Sequence, residues 1–214
     1  MSIHDGAMDC MGDYGMVLTG EGIVRHELDE ASGYVEVVFP VSDLERLGEA
    51  GLAHLLCDMV APVDYWAGVA GFCFQHSPYK LVRLWPNVRD LCQRFVGVEI
   101  TAAERLAYLA ERGVPTVNWL TFIGEEHLAR LGGAAALNQN LSDGLTTSTI
   151  GSGVVLACAG GPRLGDMNNN EDIDIFRRAY QSVRPAQFVD PAYAFSALSF
   201  PGAETVEWLT RLAD

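Results

Sequence analysis

A polar run that begins at Asp166 comes nearer to chemistry than any other part of the sequence. Asp166, Asn168 and Asn170 alternate in the way that the first oxygen ligands of a calcium-binding loop do. The pattern then departs from such a loop. Glu171 stands where the sharp turn needs glycine, and Arg177 stands where a bidentate glutamate belongs. The spacing therefore disfavours calcium binding, although a metal site or an enzyme built on this run stays an alternative.

Two other interpretations of the same run remain open. The residues could form a polar turn ahead of a helix, with Glu171, Asp172 and Asp174 close to its positive N-terminal end. They could instead form an exposed acidic surface that contacts a protein partner, since exposed loops on a rigid scaffold often carry binding. The candidate site residues on this last interpretation are Asp166, Glu171, Asp172 and Asp174.

Other residues that could do chemistry lack the partner residues and the spacing that the known motifs require. Gly160–Gly165 has neither the Gly-Lys-Ser/Thr ending of a phosphate loop nor the spacing of a dinucleotide fingerprint. Ser152 lies in Gly-Ser-Gly, which is not the pattern of a nucleophile elbow. The histidines form no metal-binding pair, and the five cysteines (10, 57, 73, 92 and 158) form no C-x-x-C motif. We therefore expect no catalytic residues, no cofactor and no metal, and the chain is predicted not to be an enzyme.

The stretch from Gly113 to Asn170 organises the predicted fold. It reads as a strand, a short helix ended by Gly132 and Gly133, a long polar turn, a buried strand at Val154–Ala159 and a glycine-bounded loop.

Before this stretch, the pattern predicts two strands that form a hairpin (16–26 and 33–41), a helix with a capping box at Ser42–Glu45 (43–59) and a glycine-rich apolar strand (65–76). Two further helices follow, one capped by Asn87 and one opened by Thr101–Glu104. After the organising stretch, helices are predicted over 171–183 and 201–214. This order predicts an α+β fold with largely antiparallel sheets flanked by helices. We expect one domain over 1–214, with two strand-rich halves, 16–85 and 113–214, as a possible internal division.

Composition narrows the function classes. Hydrophobic residues make up 49% of the 214 residues, which is enough for a packed core, and the net charge is −14. Direct binding to nucleic acid is disfavoured, because a phosphate backbone needs clustered Lys and Arg. The charge also fits a basic protein partner, although composition alone slightly favours ordinary acidic solubility. The sequence shows neither a secretory signal nor a membrane span, so a reducing cytoplasm is the expected location.

Three motifs in the organising stretch carry a family resemblance. They are Asn118–Thr121 (NWLT), Leu131–Gly133 (LGG) and Ala159–Asp166 (AGGPRLGD). With them, the chain resembles the type VI secretion immunity family associated with VRR-type nuclease toxins, long carried as a domain of unknown function. The resemblance covers about the C-terminal half well and the N-terminal half loosely.

The resemblance implies a function that the residues do not show by themselves. It implies an immunity protein that binds and neutralises a cognate toxin, a nuclease, by covering the toxin's DNA-binding cleft without performing chemistry on it. On that implication, Asp166, Glu171, Asp172 and Asp174 become candidate toxin contacts.

Overall fold

The computed structural model describes residues 2–4, 15–19, 34–74, 81–100, 109–189 and 202–213. Its first element is a three-stranded antiparallel sheet formed by Ser2–His4 (β1), Gly15–Thr19 (β2) and Tyr34–Val38 (β3), in the order β1–β2–β3. The pairing of β2 with β3, which places Met16 opposite Val37, confirms the predicted hairpin. β3 is shorter than predicted, and residues 20–33, which include the rest of the first predicted strand and the turn-rich segment 29–33, lie outside the described residues.

The helix Val41–Val60 (α1) follows directly. The capping box predicted at Ser42 is wrong, because the helix begins two residues earlier than predicted and its N-cap is Pro40, with no side-chain cap. The backbone amide of Asp43 donates to the Pro40 carbonyl instead, over 2.9 Å. At Gly48 the chain leaves helical geometry, with φ of 68°, so α1 is two helical segments joined at a kink.

The next elements are Ala67–Ala70 (β4), Cys73–Phe74 (β5), Leu81–Arg94 (α2) and Glu99–Ile100 (β6). β5 and β6 form a short parallel pair. The helix predicted to be capped by Asn87 begins at Leu81 and runs through Pro86, so the sequence pattern placed its start too late. Most of the helix predicted from Thr101 lies outside the described residues. Its end is described, where the Gly113 amide donates to the Leu109 carbonyl over 3.0 Å.

The organising stretch contains two strands and a helix as predicted, and two elements that the prediction left in a turn. It comprises Leu120–Ile123 (β7), Glu125–Arg130 (α3), Gly133–Gln139 (α4), Leu145–Ile150 (β8) and Gly153–Cys158 (β9). Gly132, between α3 and α4, and Gly133, the first residue of α4, have φ of 82° and 86°, which confirms that glycines end the first helix. The long polar turn was wrong, because α4 and β8 occupy it.

These strands complete the main sheet, which is antiparallel throughout and has the order β4–β7–β9–β8. β7 and most of β9 are buried, as expected for strands that read as continuous apolar runs. β4 precedes residue 85 and β7 follows residue 113, so both suggested halves supply strands to one sheet. The mixture of helices with mainly antiparallel sheets confirms the α+β fold class.

The C-terminal part consists of two helices and two 3₁₀ turns. It contains a 3₁₀ turn at Met167–Asn169, the helix Asp174–Val183 (α5), a second 3₁₀ turn at Arg184–Ala186 and the helix Gly202–Leu209 (α6). The predicted apolar stripe of α5 is confirmed, since Phe176, Ala179, Tyr180 and Val183 are all buried. In the described part of the chain, no helix is both long and apolar enough to cross a membrane.

Two apolar clusters hold the elements together. The larger joins the main sheet to α5, with Phe122, Leu156 and Phe176 among its buried members. The smaller joins α2, β6 and α6 through Val88, Ile100, Leu109, Trp208 and Leu209, together with Cys92. The loop between β9 and α5 runs beside α2, where Phe95 forms a backbone bridge with Asp166.

Candidate functional site

The loop between β9 and α5, residues 159–173, carries the candidate residues, and Asp166 is its anchor. The Arg94 guanidinium at the end of α2 donates twice to the Asp166 carboxylate, from Nε to Oδ1 over 2.9 Å and from Nη2 to Oδ2 over 2.7 Å. The Asp166 side chain is 9% exposed and that of Arg94 is 43% exposed. A backbone bridge from Phe95 to Asp166 reinforces the pair. This connecting loop is thus fixed to α2 by a bidentate salt bridge.

The same carboxylate shapes the loop from within. Asp166 Oδ1 accepts from the Asn168 backbone amide over 3.0 Å, and Oδ2 accepts from the Asn169 side-chain amide over 2.8 Å. The Glu171 carboxylate accepts in return from the Asp166 backbone amide over 3.0 Å. Hydrogen bonding to Arg94, and then to these amides, lowers the pKa of Asp166 below its usual value. Two of the four candidate residues, Asp166 and Glu171, therefore lie together and hold the loop in shape.

This arrangement bears on the calcium interpretation. Both oxygens of Asp166 already accept hydrogen bonds, and one donor group is the cationic guanidinium of Arg94. A divalent ion at Asp166 would have to displace that guanidinium, so the geometry is that of a salt bridge and a cap for the 3₁₀ turn. Within the described residues, no group of three or more Cys, His, Asp or Glu side chains is placed to hold a metal ion.

The other two candidate residues face solvent at the start of α5. The side chains of Asp172 and Asp174 are 72% and 69% exposed. Asp172 Oδ1 accepts from the Asp174 backbone amide over 2.8 Å, and its carbonyl accepts from Arg163 Nη1 over 2.8 Å. Asp174 pairs with Arg177 one turn later, over 3.1 Å. The helix begins at Asp174 rather than at the predicted Glu171, so these carboxylates are presented on the rim of the loop.

Residues that the sequence did not single out complete this surface. Arg94 was not predicted, because the sequence gives no sign that it pairs with a residue 72 positions away. Leu91 was assigned to the apolar face of its helix, whereas Leu164 and Met167 were not singled out, and each of the three keeps 40% to 44% of its surface exposed. Their apolar character predicts burial, so only the folded structure shows them as part of the outer face.

The thiols and imidazoles fit the structural roles expected of them. Burial raises the pKa of Cys73 to about 11 and that of Cys92 and Cys158 to about 12, which disfavours a thiolate at neutral pH. His127 is fully buried and its Nε2 lies 2.5 Å from the Ala110 carbonyl. Desolvation lowers the pKa of His127 and keeps the ring neutral. Cys92 and Cys158 are buried, whereas Cys57 and Cys73 are half-buried.

Comparison with known proteins finds a matching family profile and a similar solved structure. The profile of the TsiV family, described as type VI immunity for VRR-NUC, matches residues 4–212. Among solved structures, the T6SS protein PA0821 of Pseudomonas aeruginosa superposes with a TM-score of 0.79 at 20% sequence identity. The alignment covers 96% of this chain and 60% of that protein, so the chain spans less than two thirds of its length.

No curated protein matches the chain. The family profile covers nearly the whole sequence, including the N-terminal half in which the motif resemblance is loose. The chain therefore belongs to the TsiV family, type VI immunity for VRR-NUC.

Proposed function

We propose that this protein binds a cognate VRR-type nuclease toxin and neutralises it by covering the cleft through which the toxin holds DNA. The observation that carries the proposal is the family match over residues 4–212. The protein would act as a stoichiometric inhibitor rather than as an enzyme. Because the toxin's substrate is DNA, the complex is expected to form in the cytoplasm.

The charge of the chain supports this mode of inhibition. A nuclease needs clustered Lys and Arg to hold a phosphate backbone. This chain has a net charge of −14, and the carboxylates of Asp172 and Asp174 are exposed beside each other. Opposite potentials on the two partners would speed their encounter and orient the acidic face towards the basic cleft. Asp166 and Glu171 would act by holding the loop that presents these two residues.

The alternative of a metal-binding protein or enzyme built on residues 166–174 gains no support from the loop. The guanidinium of Arg94 and two amides occupy the oxygens of Asp166, as described above. The immunity interpretation is the one with a positive observation behind it.

Calorimetry tests the proposed binding directly. The partner is the nuclease encoded by the adjacent gene, made catalytically inactive so that it can be produced. Toxin that escapes its inhibitor damages the cell, so we expect nanomolar affinity or better, which corresponds to about −12 kcal/mol. A nuclease from an unrelated toxin serves as the control. Binding that is only micromolar, or equal for the two nucleases, would contradict the proposal.

Covering the DNA cleft needs a separate test. The inactive nuclease is bound to a fluorescent DNA duplex, and the immunity protein is then titrated in. We expect the DNA to be released in proportion to the immunity protein added, with an endpoint at one equivalent. A ternary complex of nuclease, DNA and immunity protein would leave the binding intact but exclude this mechanism.

A further inference from the structure

Three exposed apolar side chains lie on the two segments that the salt bridge between Arg94 and Asp166 joins. Leu91 lies one helical turn before Arg94 on α2, and Met167 directly follows Asp166. Leu164 is brought to the same place by its carbonyl, which accepts from the Gly97 amide over 2.9 Å. Leu91, Leu164 and Met167, here called the apolar patch, come from α2 and from the loop between β9 and α5. They are three of the seven exposed large hydrophobic residues in the described part of the chain.

The convergence distinguishes the apolar patch from ordinary surface residues. Single exposed apolar side chains are normal, whereas several that meet at one place mark an interaction surface. Methionine adapts its shape to a partner, and Met and Arg are enriched at protein interfaces. Arg94, which is 43% exposed, lies among these three residues and adds a planar polar group.

The apolar patch is also held rigidly before any partner arrives. The salt bridge from Arg94 fixes the loop on one side. The Val96 amide donates to the Gly165 carbonyl over 3.2 Å, beside the bond from Gly97. A Cβ at Gly97 would lie 2.4 Å from the Arg163 carbonyl, so this close approach requires glycine. A preformed surface loses little conformational entropy on binding, which favours a tight complex.

The border of the apolar patch indicates the kind of partner. Glu171 is hydrogen-bonded to Asp166, and Arg163, next to Leu164, bonds the backbone of Asp172. The exposed carboxylates of Asp172 and Asp174, which pair with Arg163 over 3.9 Å and with Arg177 over 3.1 Å, therefore form a charged rim at this edge, here called the acidic rim. An apolar centre with a charged rim is the ordinary anatomy of a protein interface. The matching surface on the partner has an apolar projection ringed by Lys and Arg.

We propose that the apolar patch is the centre of the toxin-binding surface, with Arg94 among its residues and Asp172 and Asp174 on its rim. This inference rests on the proposed function and assigns the energetic roles within it. The apolar centre, once desolvated, determines how slowly the complex dissociates. The acidic rim determines how quickly it forms.

Stopped-flow kinetics with the inactive cognate nuclease tests the assignment. The patch variant is Leu91→Ala, Leu164→Ala and Met167→Ala combined. The control variant is Val41→Ala, Leu55→Ala and Val63→Ala, which removes apolar side chains of similar exposure from α1 and the segment after it. We expect the dissociation rate of the patch variant to rise at least about tenfold while its association rate changes by less than about twofold. The control should match the parent protein in both rates.

Each other outcome overturns the assignment in a distinguishable way. An unchanged dissociation rate in the patch variant, with tight binding by the parent, places the interface elsewhere and leaves the immunity function standing. An equal rise in both variants removes any special role for this surface. Absence of binding by the parent protein removes the proposed function and this inference together.

A second measurement covers the case in which the patch variant does not fold. Hydrogen exchange of the unaltered protein is followed with and without the inactive nuclease. Slower exchange is expected at residues 91–97 and 164–171 in the complex. Unchanged exchange in both segments, together with slowing elsewhere, would overturn the proposal without any substitution.

Discussion

At the scale of single residues, Asp166 does more than any other candidate to define the site. One carboxylate receives the guanidinium of Arg94 and also two amides of its own loop. These donors favour the charged form, and the pKa of Asp166 is therefore lowered from its ordinary value. The unfolded chain has no such donors, so at acid pH it binds a proton that the folded chain resists. The stabilisation from Asp166 is thus fully present above the unfolded pKa and is lost as the pH falls through the lower, folded value.

Asp166→Asn tests this linkage. The variant lacks the negative charge for Arg94, so we expect it to melt below the parent protein at pH 7. As the pH falls below about 4, where an unfolded aspartate takes up its proton, the gap between the two melting temperatures should narrow. Thermal melts at pH 7, 5, 4 and 3 measure this. Asp64→Asn, which removes a charge from an exposed position, is the control, and a gap for Asp166→Asn that stays constant down to pH 3 contradicts the linkage.

The candidate residues could be predicted from the sequence only in part. Asp166, Glu171, Asp172 and Asp174 stood out because polar residues cluster there, and local hydrogen bonds do join them. Asp166 and Glu171 hold the loop in shape, whereas Asp172 and Asp174 are exposed. This division depends on Arg94, which reaches the loop from α2. A contact between residues so far apart in sequence leaves no local pattern, and this is also why the apolar patch was not predicted.

At the scale of elements, α6 is tied to the rest of the chain by two ion pairs of contrasting burial. Arg211, just beyond its end, pairs with Glu99 of β6 over 2.8 Å, with side chains 6% and 8% exposed. Arg211 also stacks on Trp208, with its guanidinium carbon 3.9 Å from the ring centre. Glu204 of α6 pairs with Arg89 of α2 over 3.1 Å at a more open position. Only the buried pair should carry a large penalty when one partner is removed.

Glu99→Gln measures that penalty. The change leaves the buried Arg211 without a counter-charge, and we expect the free energy of unfolding to fall by about 3 kcal/mol. Arg89→Gln breaks the more open pair of the same helix and should cost less than about 1 kcal/mol. Urea denaturation of both variants and the parent gives the two values. Equal losses would show that burial does not separate the two pairs.

Among the elements, those with a clear apolar pattern, such as β9 and α5, could be predicted from the sequence, whereas the polar edge strand β8 could not. β9 reads as a continuous apolar run, and the stripe of α5 has helical spacing, so both were found. β8, with the sequence LTTSTI, lies at the edge of the sheet and exposes Thr146, Ser148 and Thr149, so its pattern resembles a loop. α1 was mispositioned because Pro40 stands at the N-cap, the position that the capping pattern assigns to Ser42.

At the scale of the whole molecule, a net charge of −14 acts on a partner before contact. The range of that action is the Debye length, about 30 Å at 0.01 M salt and about 8 Å at 0.15 M. Carboxylates within one Debye length of the interface accelerate association more than distant ones do. The position of a charge, and not its number, should therefore decide its effect on the association rate.

The acidic rim gives this expectation a test. Glu171→Gln, Asp172→Asn and Asp174→Asn, combined, remove three charges beside the proposed interface and keep an oxygen where Glu171 and Asp172 each accept a backbone hydrogen bond. Asp58→Asn, Asp64→Asn and Glu125→Gln, combined, remove three exposed charges from the end of α1, the segment after it and the start of α3. At 0.01 M salt we expect the rim variant to associate with the inactive nuclease about three- to tenfold more slowly than the parent, with less change in its dissociation rate.

The distant-charge control separates local steering from total charge. It should associate at close to the parent rate, and the deficit of the rim variant should shrink at 0.15 M salt because screening reduces the contribution of the rim. The rim variant should remain folded, since each lost interaction with the helix dipole costs only about 0.3–1 kcal/mol. Stopped-flow association at the two salt concentrations measures all three proteins. Rim and control variants that slow equally would assign the steering to the net charge of −14, and a rim variant as fast as the parent would remove residues 171–174 from the interface.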